Sequence, residues 1–150
     1  MDNDIANIAV KLKVVVESIR QHDELCGVLK VIDHPISFLG DVDAESGRIR
    51  DGGNVKDSIL LYPTAVGSTV GSYVIYGLSR SGNAPVAIVT CNEDVVTTVG
   101  AVIAGIPLYK LVDCSVIKDL KKYDGRVFCI HDSVLVMKKQ VFPLECQERG

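Results

Sequence analysis

The sequence predicts a single α/β domain with a mixed sheet, and three observations carry that prediction. Helical and strand-like segments alternate through the middle of the chain, from about residue 59 to residue 111. Strand-like segments without helices stand on either side of that alternation, which argues against a purely parallel, doubly wound sheet. Finally, 150 residues, 47% apolar and 23% charged, suffice for one ordinary core that buries about 70% of the unfolded surface.

The elements follow in order. Ile5, Ile8, Ala9, Leu12, Val15, Val16 and Ile19 recur at three- and four-residue spacing, so residues 1–24 read as an N-terminal amphipathic helical extension. The β-branched run Val14-Val15-Val16 weighs against that helix. Residues 27–32 read as a strand, ended by Asp33-His34-Pro35 because Pro35 has no N–H for a ladder. A polar connection covers residues 40–54, and Ile59-Leu60-Leu61-Tyr62 is a short buried strand stopped by Pro63. Residues 69–80 place Val70, Tyr73, Val74, Gly77 and Leu78 on one helical face, with Gly82 as the stop. Residues 86–90 form a strand, and a second helix runs from about residue 93 to residue 104 until Gly105-Ile106-Pro107 breaks it. Residues 108–111 are a short strand, and residues 127–130 and 134–137 a terminal strand pair. Residues 141–150 are a tail that frays at its end.

Composition excludes several function classes. A net charge of −3 argues against a protein whose main task is gripping nucleic acid. No apolar run approaches the 18 or so residues of a membrane span, and Met1-Asp2-Asn3-Asp4 is unlike a secretory signal, so a soluble cytoplasmic chain is expected. The five cysteines, Cys26, Cys91, Cys114, Cys129 and Cys146, show no C-x-x-C, so no metal or cluster site built by this chain alone is expected. Cys129 and His131 share a strand face, but two ligands make no site; Cys129 reads as a buried reduced thiol, and disulfides are not expected in a reducing compartment. His22, His34 and His131 are scattered. The acidic stretch Asp41-Val42-Asp43-Ala44-Glu45 begins like a calcium loop, but Ser46 and Gly52 stand where that loop needs Gly and Glu, so it reads as a solvated turn. Lys121-Lys122 and Lys138-Lys139 read as solvated surface.

The chemistry concentrates in Tyr62-Pro63-Thr64-Ala65-Val66-Gly67-Ser68-Thr69-Val70-Gly71-Ser72-Tyr73, a strand, a loop of small residues and a helix start. Ser68 at a helix start is either a cap, its oxygen accepting from backbone N–H groups, or a reactive hydroxyl whose alkoxide those groups stabilise. The first turn also attracts anions through its N–H groups and the helix dipole. Gly67 allows close backbone approach, and Gly71 removes a side chain from the first turn. No Lys follows a glycine as a P-loop requires, and Gly67 directly precedes Ser68, so G-x-S-x-G is absent.

Five segments in order resemble the small subunit of the aconitase X family. They are Pro35-Ile36-Ser37-Phe38-Leu39-Gly40-Asp41-Val42-Asp43, Gly47-Arg48-Ile49, Gly67-Ser68-Thr69-Val70-Gly71-Ser72-Tyr73, Ala84-Pro85-Val86-Ala87-Ile88-Val89 and Gly100-Ala101-Val102-Ile103-Ala104-Gly105-Ile106-Pro107-Leu108. The resemblance implies a swivelling β/β/α domain over residues 25–140, with a mixed sheet or partial barrel. It implies a hydro-lyase working as a heteromer, with a [4Fe–4S] cluster on a separate large subunit. The implied reaction takes water from (R)-5-phosphomevalonate to give trans-anhydromevalonate 5-phosphate in the archaeal mevalonate pathway. In that reaction Ser68 is the catalytic proton acceptor, and Gly67, Thr69, Val70 and Gly71 bind substrate. Ala65-Val66 stand where family members often carry a basic residue, so either the charge for the substrate comes from elsewhere or the chain acts on something different. Two other readings share the resemblance: a related dehydratase acting on cis-3-hydroxyproline or another hydroxy acid, and a non-catalytic anion-binding domain of the same fold.

Overall fold

In two successive strands every residue is buried: β3 (Ser58–Tyr62) and β4 (Ala87–Thr90). Strands covered on both faces are what parallel pairing between crossover helices produces. With β2 (Leu25–Val31) and β5 (Leu108–Leu111) they form a four-stranded parallel array. The computed structural model describes residues 8–17 and 24–138. Within it, β1 (Ala9–Val16), β6 (Val127–His131) and β7 (Val134–Met137) pair antiparallel and close a barrel in the order β1-β5-β4-β3-β2-β6-β7. The sheet is mixed, as expected, and the barrel is complete rather than partial.

Alternation along β3 divides the core. Ile59 and Leu61 point into the barrel with Leu29, Val89 and Phe128, while Leu60 and Tyr62 point outward with Ile75, Leu78 and Val96. The outer layer is α2 (Gly71–Arg80) and α3 (Val95–Ala104), with short α1 (Phe38–Asp41) beside them. A Cβ at Gly100 would fall 2.5 Å from Ile75 Cδ1, so α2 and α3 approach closely because Gly100 has no side chain. Gly105, at φ 71°, ends α3 in the left-handed conformation that favours glycine. Further along, a 3₁₀ turn (Cys114–Val116) leads into α4 (Ile117–Lys121). Neither α1 nor α4 is among the elements the sequence predicts; each is about one turn long, too short to show a period.

The expected N-terminal helix is corrected: residues 9–16 form β1. Its ladder runs to β5 on one side and β7 on the other, so this strand closes the barrel. Strand pairing overrides the three-to-four spacing, and the Val14-Val15-Val16 run suits an extended backbone. The rest of the expected helix, residues 1–7 and 18–23, and the tail at 141–150 lie outside the described residues.

Two further expectations are corrected. Cys129 is bonded to Cys26 and Cys91 to Cys114, with S–S distances of 2.10 and 1.96 Å. Cys26 and Cys129 stand directly opposite each other in the β2–β6 ladder, although 103 residues separate them. Lys121 is pinned rather than solvated, its Nζ donating to the Val31 carbonyl at 2.8 Å.

Candidate functional site

The chains leaving β2 and β3 continue side by side beyond the barrel. Ile36 and Ala65 form a parallel bridge, the Ile36 N–H donating to Thr64 O at 3.1 Å and the Val66 N–H to Ile36 O at 2.8 Å. That pairing brings two serine-bearing turns together at the carboxyl ends of the parallel strands. Ser37 caps α1, its Oγ accepting the Gly40 N–H at 3.3 Å while Asp41 Oδ2 accepts the Ser37 N–H at 2.9 Å. Gly67, at φ +94°, sits against that cap, and a Cβ there would lie 3.2 Å from Ser37 Oγ. Glycine thus answers two demands at this position, a left-handed backbone and a close neighbour.

Ser68 follows, exposed, at the entrance to α2. Its Oγ accepts the Val70 N–H at 3.1 Å, and its carbonyl accepts the Gly71 N–H at 2.9 Å. Thr69 O and Val70 O accept from Ser72 and Tyr73 at 3.0 and 2.9 Å, a 3₁₀-like tightening before the helix proper. The hydroxyl therefore stands in the positive field of a ten-residue helix with a backbone donor already on it. A negative charge forming on Oγ is stabilised there.

Asp94 holds this loop from the other side. Its Oδ1 accepts the Thr97 N–H at 2.7 Å, capping α3, and its Oδ2 accepts the Ala65 N–H at 3.0 Å and the Thr97 hydroxyl at 2.9 Å. Because the Thr97 hydroxyl donates its one hydrogen to the carboxylate, the Tyr62 hydroxyl, 2.8 Å away, donates to Thr97 Oγ1. Burial holds the Tyr62 phenol well above its ordinary range, so it stays protonated and is a strut rather than a base.

The predicted residues Gly67, Ser68, Thr69 and Val70 lie together on the exposed turn. Gly71 differs: it is buried, and a Cβ there would lie 3.0 Å from Val96 and 3.4 Å from Phe38, so its part is to let α2 pack. Its N–H is engaged by Ser68 O rather than turned toward a ligand. Ser37, Asp41, Asp94 and Thr97 are the residues sequence reasoning missed. An N-cap residue directly before an apolar stretch, Ser37 before Phe38-Leu39 and Asp94 before Val95-Val96, is the signal that could have pointed to the caps. The calcium-like stretch is the solvated turn expected: the Asp43 carboxylate accepts from the Ser46 hydroxyl at 2.7 Å and the Glu45 N–H at 3.3 Å.

Beside Ser37 lies a cavity of about 190 Å³ with an apolar floor including Ile32 and Ile36, and with His34, Asp41 and Arg50 in its lining. Arg50 is 79% exposed, its guanidinium 3.8 Å from Asp41. Leu39, Val66, Val70 and Tyr73 form exposed apolar surface at the same end of the molecule, Tyr73 at 69%. Among the described residues the cysteines are paired as Cys26–Cys129 and Cys91–Cys114, which leaves no set of thiolates at this end for a cluster. This end of the chain does not fit a [4Fe–4S] cluster of its own. Among the described residues, no helix is long and apolar enough to cross a membrane.

Comparison with known proteins places this geometry. The phosphomevalonate dehydratase small subunit of Pyrococcus abyssi is 50% identical over 95 residues, covering 59% of this chain and 73% of that protein. The protein of the same name from Methanosarcina acetivorans is 39% identical over 113 residues, covering 71% and 77%. The crystal structure of Thermococcus kodakaraensis aconitase X in its holo-form superposes with a TM-score of 0.74 at 29% identity, over 89% of this chain and all of that one. The family described as the aconitase X swivel domain matches residues 15–136, from the end of β1 into β7. With that match running from β2 into β7 and covering both serine-bearing turns, the chain belongs to the aconitase X swivel domain family.

Proposed function

We propose that this chain is the small subunit of a hydro-lyase that dehydrates (R)-5-phosphomevalonate to trans-anhydromevalonate 5-phosphate, with Ser68 as proton acceptor. The name shared by its relatives supports the reaction, and the name "small subunit" supports a large catalytic partner. The observation that carries the serine's role is its exposed Oγ at the entrance to α2, with the Val70 N–H on it at 3.1 Å. Dehydration must take a weakly acidic C–H proton beside a carboxylate, which needs a strong base held ready. An alkoxide at Ser68 is such a base, stabilised by that N–H and the helix dipole. The [4Fe–4S] cluster of the large subunit supplies Lewis-acid assistance to the departing hydroxyl.

The remaining tasks divide over this chain's residues. Gly67 and Thr69 flank the serine and line the substrate, and Val70 contributes its N–H. Gly71 acts by leaving room for α2 to seat against Phe38 and Val96. With Ala65 and Val66 uncharged, Arg50, held beside Asp41 at the cavity next to Ser37, supplies a cation for an anionic group of the substrate. Leu39, Val66, Val70 and Tyr73 are the apolar surface on which the large subunit closes, excluding water from the serine. The enzyme works in the cytoplasm.

The test is anaerobic reconstitution with the cluster-loaded large subunit, assaying water loss from (R)-5-phosphomevalonate. Ser68→Ala should lower turnover about 10²–10⁴-fold, the range for a lost general base, while the subunits still co-elute. Turnover that survives the substitution would leave Ser68 as a helix cap. No turnover by wild type would move the substrate to another hydroxy acid, cis-3-hydroxyproline first.

A further inference from the structure

At the opposite end of the barrel from Ser68, we infer that Glu24, Cys26 and Cys129 form a zinc site in the reduced protein. Cys26 and Cys129 are direct cross-strand partners, and Glu24, the residue before β2 begins, brings its carboxylate to the Cys26 sulfur. The cysteines lie on the outer face, because Phe128 and Ile130, the neighbours of Cys129, point into the barrel core. The helices leave it open: Val28 and Val127, next along the two strands, are 45% and 42% exposed.

The carboxylate already stands at ligand spacing, while the two sulfurs, bonded at 2.10 Å, must part on reduction to the roughly 3.8 Å that tetrahedral zinc requires. Glu24 Oε1 stands 3.7 Å from Cys26 Sγ, and one ligand atom from each of the three residues lies within 4.8 Å of the others. Two ligands at the tetrahedral angle, with Zn–S near 2.3 Å and Zn–O near 2.1 Å, are about 3.6 Å apart. Two thiolates with a carboxylate select a borderline-soft ion over calcium or magnesium. The fourth position falls to a water, since the His131 Nε2 stands 3.3 Å from Asp132 Oδ2 instead. The 103 residues between the cysteines are why no C-x-x-C announces the site.

The disulfide is the other state of the same pair. Zinc binding to the dithiol releases two protons. Oxidation by a low-molecular-weight disulfide takes the two electrons of the thiolates into that oxidant, giving two small thiolates that take protons from water, the Cys26–Cys129 bond and free Zn²⁺. In either state the link ties β2 to β6. The distance along β2 from Cys26 to Ile32 is about 20 Å at 3.3 Å per residue, so the site is remote from Ser68.

The experiment is Co²⁺ and Zn²⁺ titration of the full chain, reduced, freed of added thiol and kept anaerobic. One equivalent should bind, with a thiolate-to-cobalt charge-transfer band that Zn²⁺ abolishes. Cys26→Ser and Cys129→Ser should each lose the band, Glu24→Gln should weaken binding at least tenfold, and Cys91→Ser/Cys114→Ser should leave it intact. Should a cysteine variant fail to fold, alkylation of wild type followed by peptide mass analysis replaces it: zinc should protect Cys26 and Cys129 specifically. Folded, reduced protein that takes up no Co²⁺ would overturn the site. So would a band unchanged in Cys129→Ser, or protection confined to other cysteines.

Discussion

The parallel and antiparallel halves of this barrel turn their corners differently, and the difference decides where chemistry can sit. After β2, β3 and β4 the chain must cross over through a helix, and each crossover opens with a capped turn: Ser37 before α1, Ser68 before α2, Asp94 before α3. Capped helix starts thus gather at the carboxyl ends of parallel strands, the general position of ligand sites in α/β sheets. The antiparallel seam of β6 and β7 needs only the two-residue turn Asp132-Ser133, with φ of 50° and 60°, the signature of a type I′ hairpin. That turn builds no helix start. The seam's outer face instead stays open, and there two cysteines from distant parts of the chain meet.

Four substitutions test how far the halves depend on each other. Leu135 is fully buried inside the barrel, so Leu135→Ala should cost about 2–5 kcal/mol of global stability by denaturant titration. A loss under about 1 kcal/mol would mean that the seam frays by itself and the parallel half stands alone. Asp94→Ala removes the acceptor of the Thr97 and Ala65 N–H groups, and should cost about 2 kcal/mol while loosening the Ser68 loop. Hydrogen exchange should rise at Ala65 and Val66; unchanged exchange there would show the loop is held by the Ile36 bridge alone. Gly67→Ala forces a side chain into a left-handed backbone beside Ser37 Oγ, and should cost about 1–2 kcal/mol with a larger fall in turnover. Pairing it with Ser37→Ala separates the causes: recovery marks the contact, none marks the backbone. Smallest and opposite in sign, Ser133→Gly should raise stability by up to about 1 kcal/mol by relieving a positive φ, visible as a higher Tm.

Much of the parallel half was legible beforehand because its signals are local. The apolar run at residues 59–62, the faces of residues 69–80 and the Gly105-Ile106-Pro107 break each express themselves within one element. Ser68 was legible for the same reason, a small-residue loop running straight into a helix. Asp94 was not, because its role is set by Ala65, 29 residues away, across a contact that exists only after β3 and β4 pair. β1 failed for a related reason. Only Leu12 within it is buried, so the strand carries little alternation, and its conformation is chosen by the β5 and β7 edges it joins.

The amino-acid sequence alone determined the α/β class, the crossover helices and the turn that presents Ser68, since hydrophobic period, glycine position and capping act over a few residues. Tertiary structure decided the closure of the barrel, the pairing of Cys26 with Cys129, and the bracing of the serine loop by Ser37 and Asp94. Those features join residues tens to a hundred positions apart, and such contacts form only once β-ladders have brought both partners to the same place.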